Sequence, residues 1–376
     1  MSGRVIVAAG GTGGHLFPGL ALAAALTDRG KEVAFVGTER GLESSVVPSA
    51  GYEFHAVPLE PFVRKLSLEM LRGPAASLKA VGRCRELVRG ASAVLGMGGY
   101  PSVPSVLAAR REHVPVVLHE QNAIAGLANR SLGRLSAAIA LGFADADRAF
   151  PRNRVVVTGN PVRASILEVR DGREALGDEA RASFGLEPGR RTIVIFGGSQ
   201  GALHVNRAAV GACRLLAGRE DLQVLILTGS AYLESVRGDL PAAAPLRVVA
   251  EGFLERMELA YALADLVVSR AGASSIAEIT VCGLPALLVP YPHALAGEQE
   301  ANARALQRAG GASILLDDEL SGESLAERIQ ALADHDERLR AMSERSSAFG
   351  APDATQRVID VIERVERRAE AGQGVR

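Results

Sequence analysis

The stretch RVIVAAGGTGGHLFP, residues 4–18, joins a short apolar run to a loop that contains four glycines. The run is rich in β-branched residues, which is typical of a buried parallel strand. Glycines let a ligand approach the backbone closely, and a helix that follows directs unpaired N–H groups at an anion. Pro18 suits a helical first turn, so we expect the helix to open there. The stretch predicts a strand, a phosphate-binding loop and a helix.

The glycine spacing departs from two familiar nucleotide-binding loops. In the frame that starts at Gly11, Leu16 stands where the dinucleotide fingerprint needs its third glycine. No Gly-Lys-Ser or Gly-Lys-Thr follows, as a Walker A loop requires. A dinucleotide oxidoreductase would also need an acidic residue closing the second strand, where only Glu39 is a candidate. A tight strand-to-helix turn without a ligand remains an alternative.

Two further glycine clusters occupy equivalent places in the chain. GMGGY, residues 96–100, and GGSQG, residues 197–201, each follow a predicted strand and precede a predicted helix. We call residues 10–14, 96–100 and 197–201 the first, second and third glycine loops. In open α/β sheets, ligands bind beyond the carboxyl ends of the strands. Three such loops therefore indicate two domains that face each other across a phosphate-rich cleft.

Short β-branched runs alternate with longer helical patterns, which predicts βαβ units and parallel sheets. The predicted strands are 5–8, 33–36, 93–95, 114–118, 155–157, 193–196, 224–227, 266–268 and 286–289. A chain of 376 residues favours two domains, which we place at 1–160 and 161–345. Residues 354–370 predict an amphipathic helix, and we expect this terminal segment, about 350–370, to pack back on the first domain.

Net charge, cysteine spacing and the length of apolar runs argue against several classes of protein. A net charge of -1 argues against a dedicated nucleic-acid binder. Cys84, Cys213 and Cys282 are odd in number and widely spaced, which favours reduced, buried thiols and neither a disulfide nor a zinc site. No run reaches the roughly 18 apolar residues that a membrane-spanning helix needs. We therefore expect a soluble or peripheral protein.

Several polar residues stand beside the predicted loops. The positive end of a helix lowers the pKa of His15, so a neutral imidazole would act there as a general base or as a hydrogen-bond donor. The tetrad HEQN, residues 119–122, ends a strand and is either ligand-facing or part of the loop structure.

Residues 269–275 lead into a helix that contains Glu278. Serines there would cap the helix or bind phosphate, and the carboxylate would accept ribose hydroxyls. Gln299 and Asn302, three apart, share a helix face that either contacts sugar hydroxyls or is a plain polar surface.

Six motifs, taken together and in this order, resemble one family. They are GGTGGH (10–15), GMGGY (96–100), HEQN (119–122), GNPVR (159–163), GGSQG (197–201) and RAGASSIAE (270–278). The sequence resembles the MurG family of bacterial undecaprenyl-diphospho-muramoylpentapeptide beta-N-acetylglucosaminyltransferases over nearly its whole length. The resemblance implies a GT-B architecture of two Rossmann-like domains. It also implies inverting transfer of N-acetylglucosamine from UDP-N-acetylglucosamine to the C4 hydroxyl of lipid I, giving lipid II for peptidoglycan, with no cofactor or metal.

The resemblance also implies site residues. The donor UDP-N-acetylglucosamine would contact Thr12, Gly13, Gly14, Asn122, Arg163, Ser199, Leu254, Ala273, Ser274, Ser275, Glu278 and Gln299. The acceptor diphosphate would lie against Gly11, Gly13, Gly14, Gly98, Gly99 and Tyr100. His15 is the candidate catalytic base. The sequence departs from the family at Glu298, where an amide is common, and at Ser274-Ser275, where a more apolar pair is common.

A lipid-linked acceptor implies a peripheral protein on the cytoplasmic face of the bacterial cell membrane. Between Pro61 and Arg89, apolar and basic residues interleave, which suits an interfacial surface but also an ordinary amphipathic helix. The apolar members are Phe62, Val63, Leu66, Leu68, Met70 and Leu71, and the basic members are Arg64, Lys65, Arg72, Lys79, Arg83 and Arg85.

Other functions fit the same loops. Within the fold class, the alternatives are another glycosyltransferase acting on a glycolipid or macrolide and a UDP-N-acetylglucosamine 2-epimerase. A protein that binds a UDP-sugar without turnover, as a sensor or scaffold, is an alternative of a different class.

Overall fold

The structure, a computed structural model, describes residues 3–57, 73–198, 200–241 and 244–373. Contacts within it divide the chain into two compact units. The first unit comprises Met1–Arg163 and Asp353–Arg376, and the second comprises Ala164–Pro352. The chain therefore leaves the first unit once and returns to it for its last helix.

The described part of the first unit contains a parallel sheet of seven strands. These are β1 Arg4–Ala8, β2 Glu32–Thr38, β3 Glu53–Val57, β4 Ala93–Gly96, β5 Val116–Glu120, β6 Ala138–Leu141 and β7 Val155–Val157. Their order is β3-β2-β1-β4-β5-β6-β7. The helices of this part of the chain are α1 Gly13–Thr27, α2 Glu43–Ser49, α3 Gly73–Val88, α4 Ser102–Arg111 and α5 Leu127–Leu132, with short 3-10 helices at Ala144–Ala149 and Arg152–Arg154.

The described part of the second unit contains a parallel sheet of six strands. These are β8 Arg191–Phe196, β9 Leu222–Leu227, β10 Arg247–Glu251, β11 Leu266–Ser269, β12 Ala286–Leu288 and β13 Ala312–Ile314, in the order β10-β9-β8-β11-β12-β13. Its helices are α6 Ala164–Phe184, α7 Leu203–Leu215, α8 Leu233–Asp239, α9 Met257–Leu263, α10 Ala273–Val281, α11 Glu298–Ala309, α12 Gly322–Ala333 and α13 Asp336–Phe349. Short 3-10 helices cover Ser230–Tyr232 and Leu295–Gly297. The prediction of two Rossmann-like domains is confirmed.

Both faces of the first sheet are covered by helices. Val5 and Val7 of β1 share a buried cluster with Val358 of the terminal helix, α14 Ala354–Gln373. Ile6, between them, points to the opposite face and packs in the cluster that contains Cys84 of α3. Because successive strand residues face opposite sides, burial of all three requires helices on both faces. The terminal helix thus completes the first unit, burying Val358, Val361, Ile362 and Val365.

The expectation that the first helix opens at Pro18 is wrong, because α1 begins at Gly13 and Pro18 lies inside it. Thr12 is extended, with φ -151° and ψ 157°, and its carbonyl accepts hydrogen bonds from His15 N and Leu16 N at 3.2 Å each. These bonds start the helix five residues before the proline. The first-turn amides therefore belong to the glycine loop itself.

The predicted strands are all present, but four observed strands, β3, β6, β10 and β13, were not predicted. Three of these lie at sheet edges, where a strand has fewer neighbours and its sequence needs less apolar character. The fourth, β6, has the sequence AIAL, which does not distinguish a strand from a helix. The polar stretch after residue 170 is largely the helix α6.

Cys84, Cys213 and Cys282 are free and buried, as the spacing predicted. In the described portions of the chain, no helix combines the length and apolar character needed to span a bilayer.

Candidate active site

The first and second glycine loops meet at His15. Gly98 and Gly99 have φ of +94° and +73°, a conformation that side chains rarely adopt. A Cβ atom at Gly98 would lie 3.1 Å from His15 Cδ2, and one at Gly99 would lie 3.0 Å from the Gly10 carbonyl oxygen. Both glycines are therefore required for the two loops to approach. On the other side, Gly11 lies close to the Tyr100 ring.

His15 is a neutral imidazole at physiological pH. Desolvation by burial lowers its pKa to about 4, against opposing effects of a hydrogen bond with the Gly10 backbone and of the Glu43 charge. Its Nδ1 lies 3.0 Å from Thr12 Oγ1. The direction of the shift agrees with the prediction, whereas the main cause is desolvation and not the helix dipole.

The carboxylate of Glu43 lies under the first glycine loop and was missed by the sequence analysis. Glu43 is fully buried and accepts hydrogen bonds from Gly11 N at 3.3 Å, Thr38 N at 3.0 Å and Thr38 Oγ1 at 2.7 Å. Glu39, the acidic residue considered after the second strand, is exposed. Because Gly11 donates its N–H to Glu43, any contact of Gly11 with a diphosphate would use another atom.

The tetrad at the end of β5 is mostly structural. His119, Glu120 and Gln121 are buried, which supports the alternative that these side chains shape the loop. The Gln121 amide donates to His119 Nδ1 at 3.0 Å, so the other ring nitrogen carries the proton and donates to the Gly159 carbonyl at 3.3 Å. Burial lowers the pKa of His119 to about 4. The side chain is a neutral element of the framework.

Glu120 organises the loop that carries Asn122. Its oxygens accept from Asn122 N at 3.1 Å, Gly126 N at 3.0 Å and Asn129 Nδ2 at 2.9 Å. Burial raises the pKa of Glu120, against these hydrogen bonds. Asn122 itself is only partly buried and is the member of the tetrad best placed to meet a ligand. Asn129, which also bonds the His119 carbonyl, was not found from the sequence.

Arg163, a further predicted donor contact in this unit, lies beside α1. Its Cζ is 5.7 Å from the centroid of the Phe17 ring, a cation–π geometry. A Cβ atom at Gly13 would lie 3.0 Å from the same ring. The structure therefore brings Arg163 to the helix that begins in the first glycine loop.

In the second unit, Gly201 at the end of the third glycine loop packs tightly against the end of β9. Gly201 has φ +75°, and a Cβ atom there would collide with the Thr228 carbonyl. The same carbonyl accepts from Asn206 Nδ2 at 2.8 Å. Ser199, a predicted donor contact, lies outside the described residues.

The predicted helix with Glu278 is α10, which begins at Ala273 after the N-cap Gly272. Ser274 and Ser275 therefore lie within the first turn, and the expectation that they cap the helix is wrong. The N-cap is Gly272, in an extended conformation, two residues before Ser274 and three before Ser275. The N-terminus of a helix such as α10 can bind an anion through its dipole and first-turn amides.

The carboxylate of Glu278 accepts a hydrogen bond from a buried residue that the sequence did not indicate. Tyr261, fully buried on α9, donates its hydroxyl hydrogen to Glu278 Oε2 at 2.9 Å. The Tyr261 ring packs edge-on against Phe196 at the end of β8, with centroids 6.1 Å apart. Glu278 is thereby fixed in orientation while remaining partly exposed.

Gln299 hydrogen-bonds to the segments that follow two neighbouring strands, β11 and β12. Its Oε1 accepts from Ala271 N at 3.2 Å and Tyr291 N at 3.0 Å. Arg270 supports the same loop, because its guanidinium lies 5.4 Å from the centroid of the Tyr291 ring and donates to Asp317. The Gln299 side chain is partly exposed, so its Nε2 can still donate to a ligand. The alternative that Asn302 belongs to a plain polar surface is wrong, because this amide is buried and donates to the Ala271 carbonyl.

Leu254 lies in the loop between β10 and α9 and is partly exposed. Its neighbour Phe253 is 54% exposed.

Each unit, taken by itself, has glycine-rich loop residues and helix N-termini at the carboxyl ends of its parallel strands. Groups of this kind bind phosphates.

Family models match both halves of this arrangement. Residues 5–141 match the glycosyltransferase family 28 N-terminal domain, and residues 192–358 match the glycosyltransferase family 28 C-terminal domain. The chain belongs to glycosyltransferase family 28. The first and second glycine loops thus lie within the N-terminal match, and the third lies within the C-terminal match.

Relatives of this family 28 member cover nearly its whole length. It is 40% identical over 370 residues to the UDP-N-acetylglucosamine--N-acetylmuramyl-(pentapeptide) pyrophosphoryl-undecaprenol N-acetylglucosamine transferase of Halothermothrix orenii, covering 96% of this chain and 98% of that protein. Among solved structures, Acinetobacter baumannii MurG superposes with a TM-score of 0.77 and 29% identity, covering 96% of this chain and 99% of that one.

The fold is shared more widely than the family. The UDP-GlcNAc 2-epimerase of Neisseria meningitidis superposes with a TM-score of 0.66 over 96% of this chain and 100% of its own, at only 13% identity. At that identity the likeness concerns the fold alone, and it does not favour epimerase activity for this family 28 member.

Proposed function

We propose that this glycosyltransferase moves N-acetylglucosamine from UDP-N-acetylglucosamine to the C4 hydroxyl of the N-acetylmuramyl-pentapeptide of lipid I, forming lipid II for peptidoglycan synthesis. The observation that carries the proposal is the 40% identity to the Halothermothrix orenii transferase along 98% of that protein's length. The phosphate-binding loops in both units support it, because both substrates carry diphosphates.

In the proposed reaction, the C4 oxygen of the acceptor attacks the anomeric carbon of the donor. The bond from that carbon to the diphosphate breaks, and UDP leaves with the electron pair. The new linkage is β-1,4, so the α configuration of the donor is inverted. Negative charge grows on the departing diphosphate, where loop amides and helix N-termini stabilise it.

We propose that His15 accepts the proton of the attacking hydroxyl. The imidazole is neutral in the free protein, as a base must be, but a pKa of about 4 makes it a weak one. A diphosphate bound at the first glycine loop would place negative charge beside the ring and raise this pKa. Substrate binding would therefore strengthen the base at the moment of transfer.

The proposed donor contacts are the predicted ones: Thr12, Gly13, Gly14, Asn122 and Arg163 in the first unit, and Ser199, Leu254, Ala273, Ser274, Ser275, Glu278 and Gln299 in the second. The proposed acceptor contacts are Gly11, Gly13, Gly14, Gly98, Gly99 and Tyr100. Glu278, fixed by Tyr261, suits the two ribose hydroxyls, since a carboxylate accepts two hydrogen bonds.

The decisive experiment is transfer of labelled N-acetylglucosamine from UDP-N-acetylglucosamine to a short-chain lipid I analogue. We expect a labelled disaccharide product and stoichiometric UDP. A reaction without acceptor is the matched control. Release of the manno epimer in that control would favour an epimerase, and tight UDP binding with no product from any acceptor would favour a sensor or scaffold.

We also propose that the protein works at the cytoplasmic face of the cell membrane through the surface between residues 61 and 89. Its apolar members and Arg64, Lys65 and Arg72 lie outside the described residues. Of the described basic members, Arg85 pairs with Glu112 at 2.6 Å, whereas Lys79 and Arg83 have no acidic partner among the described residues. Binding to anionic vesicles that is unchanged by charge reversal at Arg64, Lys65 and Arg72 would contradict this proposal.

A further inference from the structure

Glu43 is a buried carboxylate whose hydrogen-bond partners are all neutral donors. The donors are Gly11 N, Thr38 N and Thr38 Oγ1. Among the described residues, no arginine or lysine forms an ion pair with it. A buried charge without a counter-ion is costly to retain for packing alone. Its placement therefore calls for an explanation beyond stability.

The backbone around Glu43 is shaped to hold its side chain. A Cβ atom at Gly10 or at Gly41 would collide with the carboxylate, and one at Gly37 would lie 2.5 Å from its Cγ. Gly10 lies in the first glycine loop, Gly37 near the end of β2, and Gly41 in the bend before α2. The space is thus built from three segments, and the carboxylate joins the first loop to the other two.

The hydrogen bond from Gly11 N connects Glu43 to the first glycine loop, which is part of the candidate site. Gly11 has φ +86°, and its N–H points inward to Glu43 while the next residues begin α1. Thr12 then contacts His15 Nδ1 at 3.0 Å. Holding the Gly11 amide therefore fixes both the start of the helix and the position of the imidazole.

We propose that Glu43 is a positioning residue for the transfer reaction, holding the first glycine loop and His15 in the arrangement that acts on the acceptor. The proposal rests on the transferase function proposed above. Glu43 touches neither substrate in this scheme and acts through Gly11 and His15.

The charge of Glu43 also bears on the proton affinity of His15. The carboxylate raises the pKa of the imidazole against desolvation. The His15 ring in turn lowers the pKa of the titratable His119 of β5, while Thr12, Gly98 and Gly99, which lie beside the ring, do not titrate. Removing the Glu43 charge should therefore lower the pKa of His15.

The test compares Glu43→Gln with the control Glu366→Gln. An amide at position 43 cannot accept from both Gly11 and Thr38, so the loop loses its anchor. Glu366 is also buried and pairs with Lys31 at 2.9 Å in the same unit, away from the loops. We expect Glu43→Gln to lower kcat by about 100-fold, as misplacement of a catalytic group does, and Glu366→Gln to leave kcat unchanged.

A second measurement separates positioning from folding. Each variant, with its histidines labelled with carbon-13, is titrated by NMR without substrate. The His15 resonance should titrate at lower pH in Glu43→Gln than in the wild type, and at wild-type pH in Glu366→Gln. A Glu43→Gln protein with wild-type kcat and wild-type His15 titration would overturn the proposal.

The two proposals fail in different ways. If the wild type transfers no sugar, the proposed function fails, whereas the His15 titration still decides whether Glu43 acts on the ring. Should Glu43→Gln not fold, Thr38→Val keeps the carboxylate and removes its 2.7 Å donor. We then expect a reduced kcat with an unchanged KM for the donor, and a wild-type kcat would overturn the proposal.

Discussion

The hydroxyl of Tyr261 donates a 2.9 Å hydrogen bond to the carboxylate of Glu278 from a fully buried position. Tyr261 lies on α9, and Glu278 lies on α10 beyond the strand β11. The phenol therefore orients a partly exposed carboxylate at the first turns of a helix whose N-terminus suits a phosphate. This geometry fits recognition of a nucleoside diphosphate, in which the ribose lies beside the phosphates.

Replacing Tyr261 by Phe should weaken donor binding with little loss of packing. The ring and its contact with Phe196 remain, while the carboxylate loses one hydrogen bond. We expect KM for UDP-N-acetylglucosamine to rise about 10-fold, equivalent to about 1.4 kcal/mol. Discrimination between the donor and its 2′-deoxyuridine analogue should fall as well. Tyr52→Phe, in the first unit, serves as control, and equal effects of the two changes would contradict this role.

Replacing Gln299 by Glu should separate its two functions. A carboxylate still accepts from Ala271 N and Tyr291 N, but it can no longer donate to a sugar hydroxyl. We expect unchanged thermal stability and a KM for the donor raised about 10-fold, since one hydrogen bond to the substrate is worth about 1 kcal/mol or more. Gln299→Ala should lower both stability and affinity. An unchanged KM in Gln299→Glu would remove Gln299 from the donor site.

Replacing His15 by Ala should abolish most of the turnover. A general base contributes about 10²- to 10⁴-fold, so we expect kcat to fall within that range while KM for the donor changes little. The acidic limb of the pH–rate profile, which reports protonation of the base, should disappear. Near-normal turnover with an unchanged pH dependence would exclude His15 as the base.

The buried His119 predicts a dependence of stability on pH. Its pKa is about 4 in the folded protein and about 6.5 in an unfolded chain, so the unfolded state binds more protons between these values. Stability should therefore fall as the pH falls from 6.5 to 4, by about 3 kcal/mol from this residue. Urea denaturation across this range should show a shallower loss for His119→Gln. An identical loss would mean that His119 is not buried as a neutral imidazole.

Local sequence signals were sufficient for the architecture. The run at residues 5–8 and the glycines after it are adjacent in the chain, and the strand and loop they predict are those observed. The weak strands, such as β10 at a sheet edge, were missed because their pairing partners supply order that their own sequences do not. Pro18 does not mark the start of α1, because the helix already begins from the Thr12 carbonyl.

For the candidate site, the sequence indicated which loops matter but not how they are held. Glu43 is 32 residues from Gly11, and Gln299 is 28 residues from Ala271. Composition and spacing contain no sign of such pairs. Burial of Glu43 is not visible in the sequence, and Glu39 lies nearer to the end of β2 than Glu43 does.

By itself, the sequence determined two parallel α/β domains, three phosphate-type loops and the family, because strand periodicity and glycine clusters are properties of neighbouring residues. The tertiary structure decided that His119 is a framework residue, that Tyr261 orients Glu278, and that Glu43 holds the loop beside His15. The physical reason is that burial and hydrogen bonding depend on segments distant in the chain, which each parallel sheet brings together within its own unit.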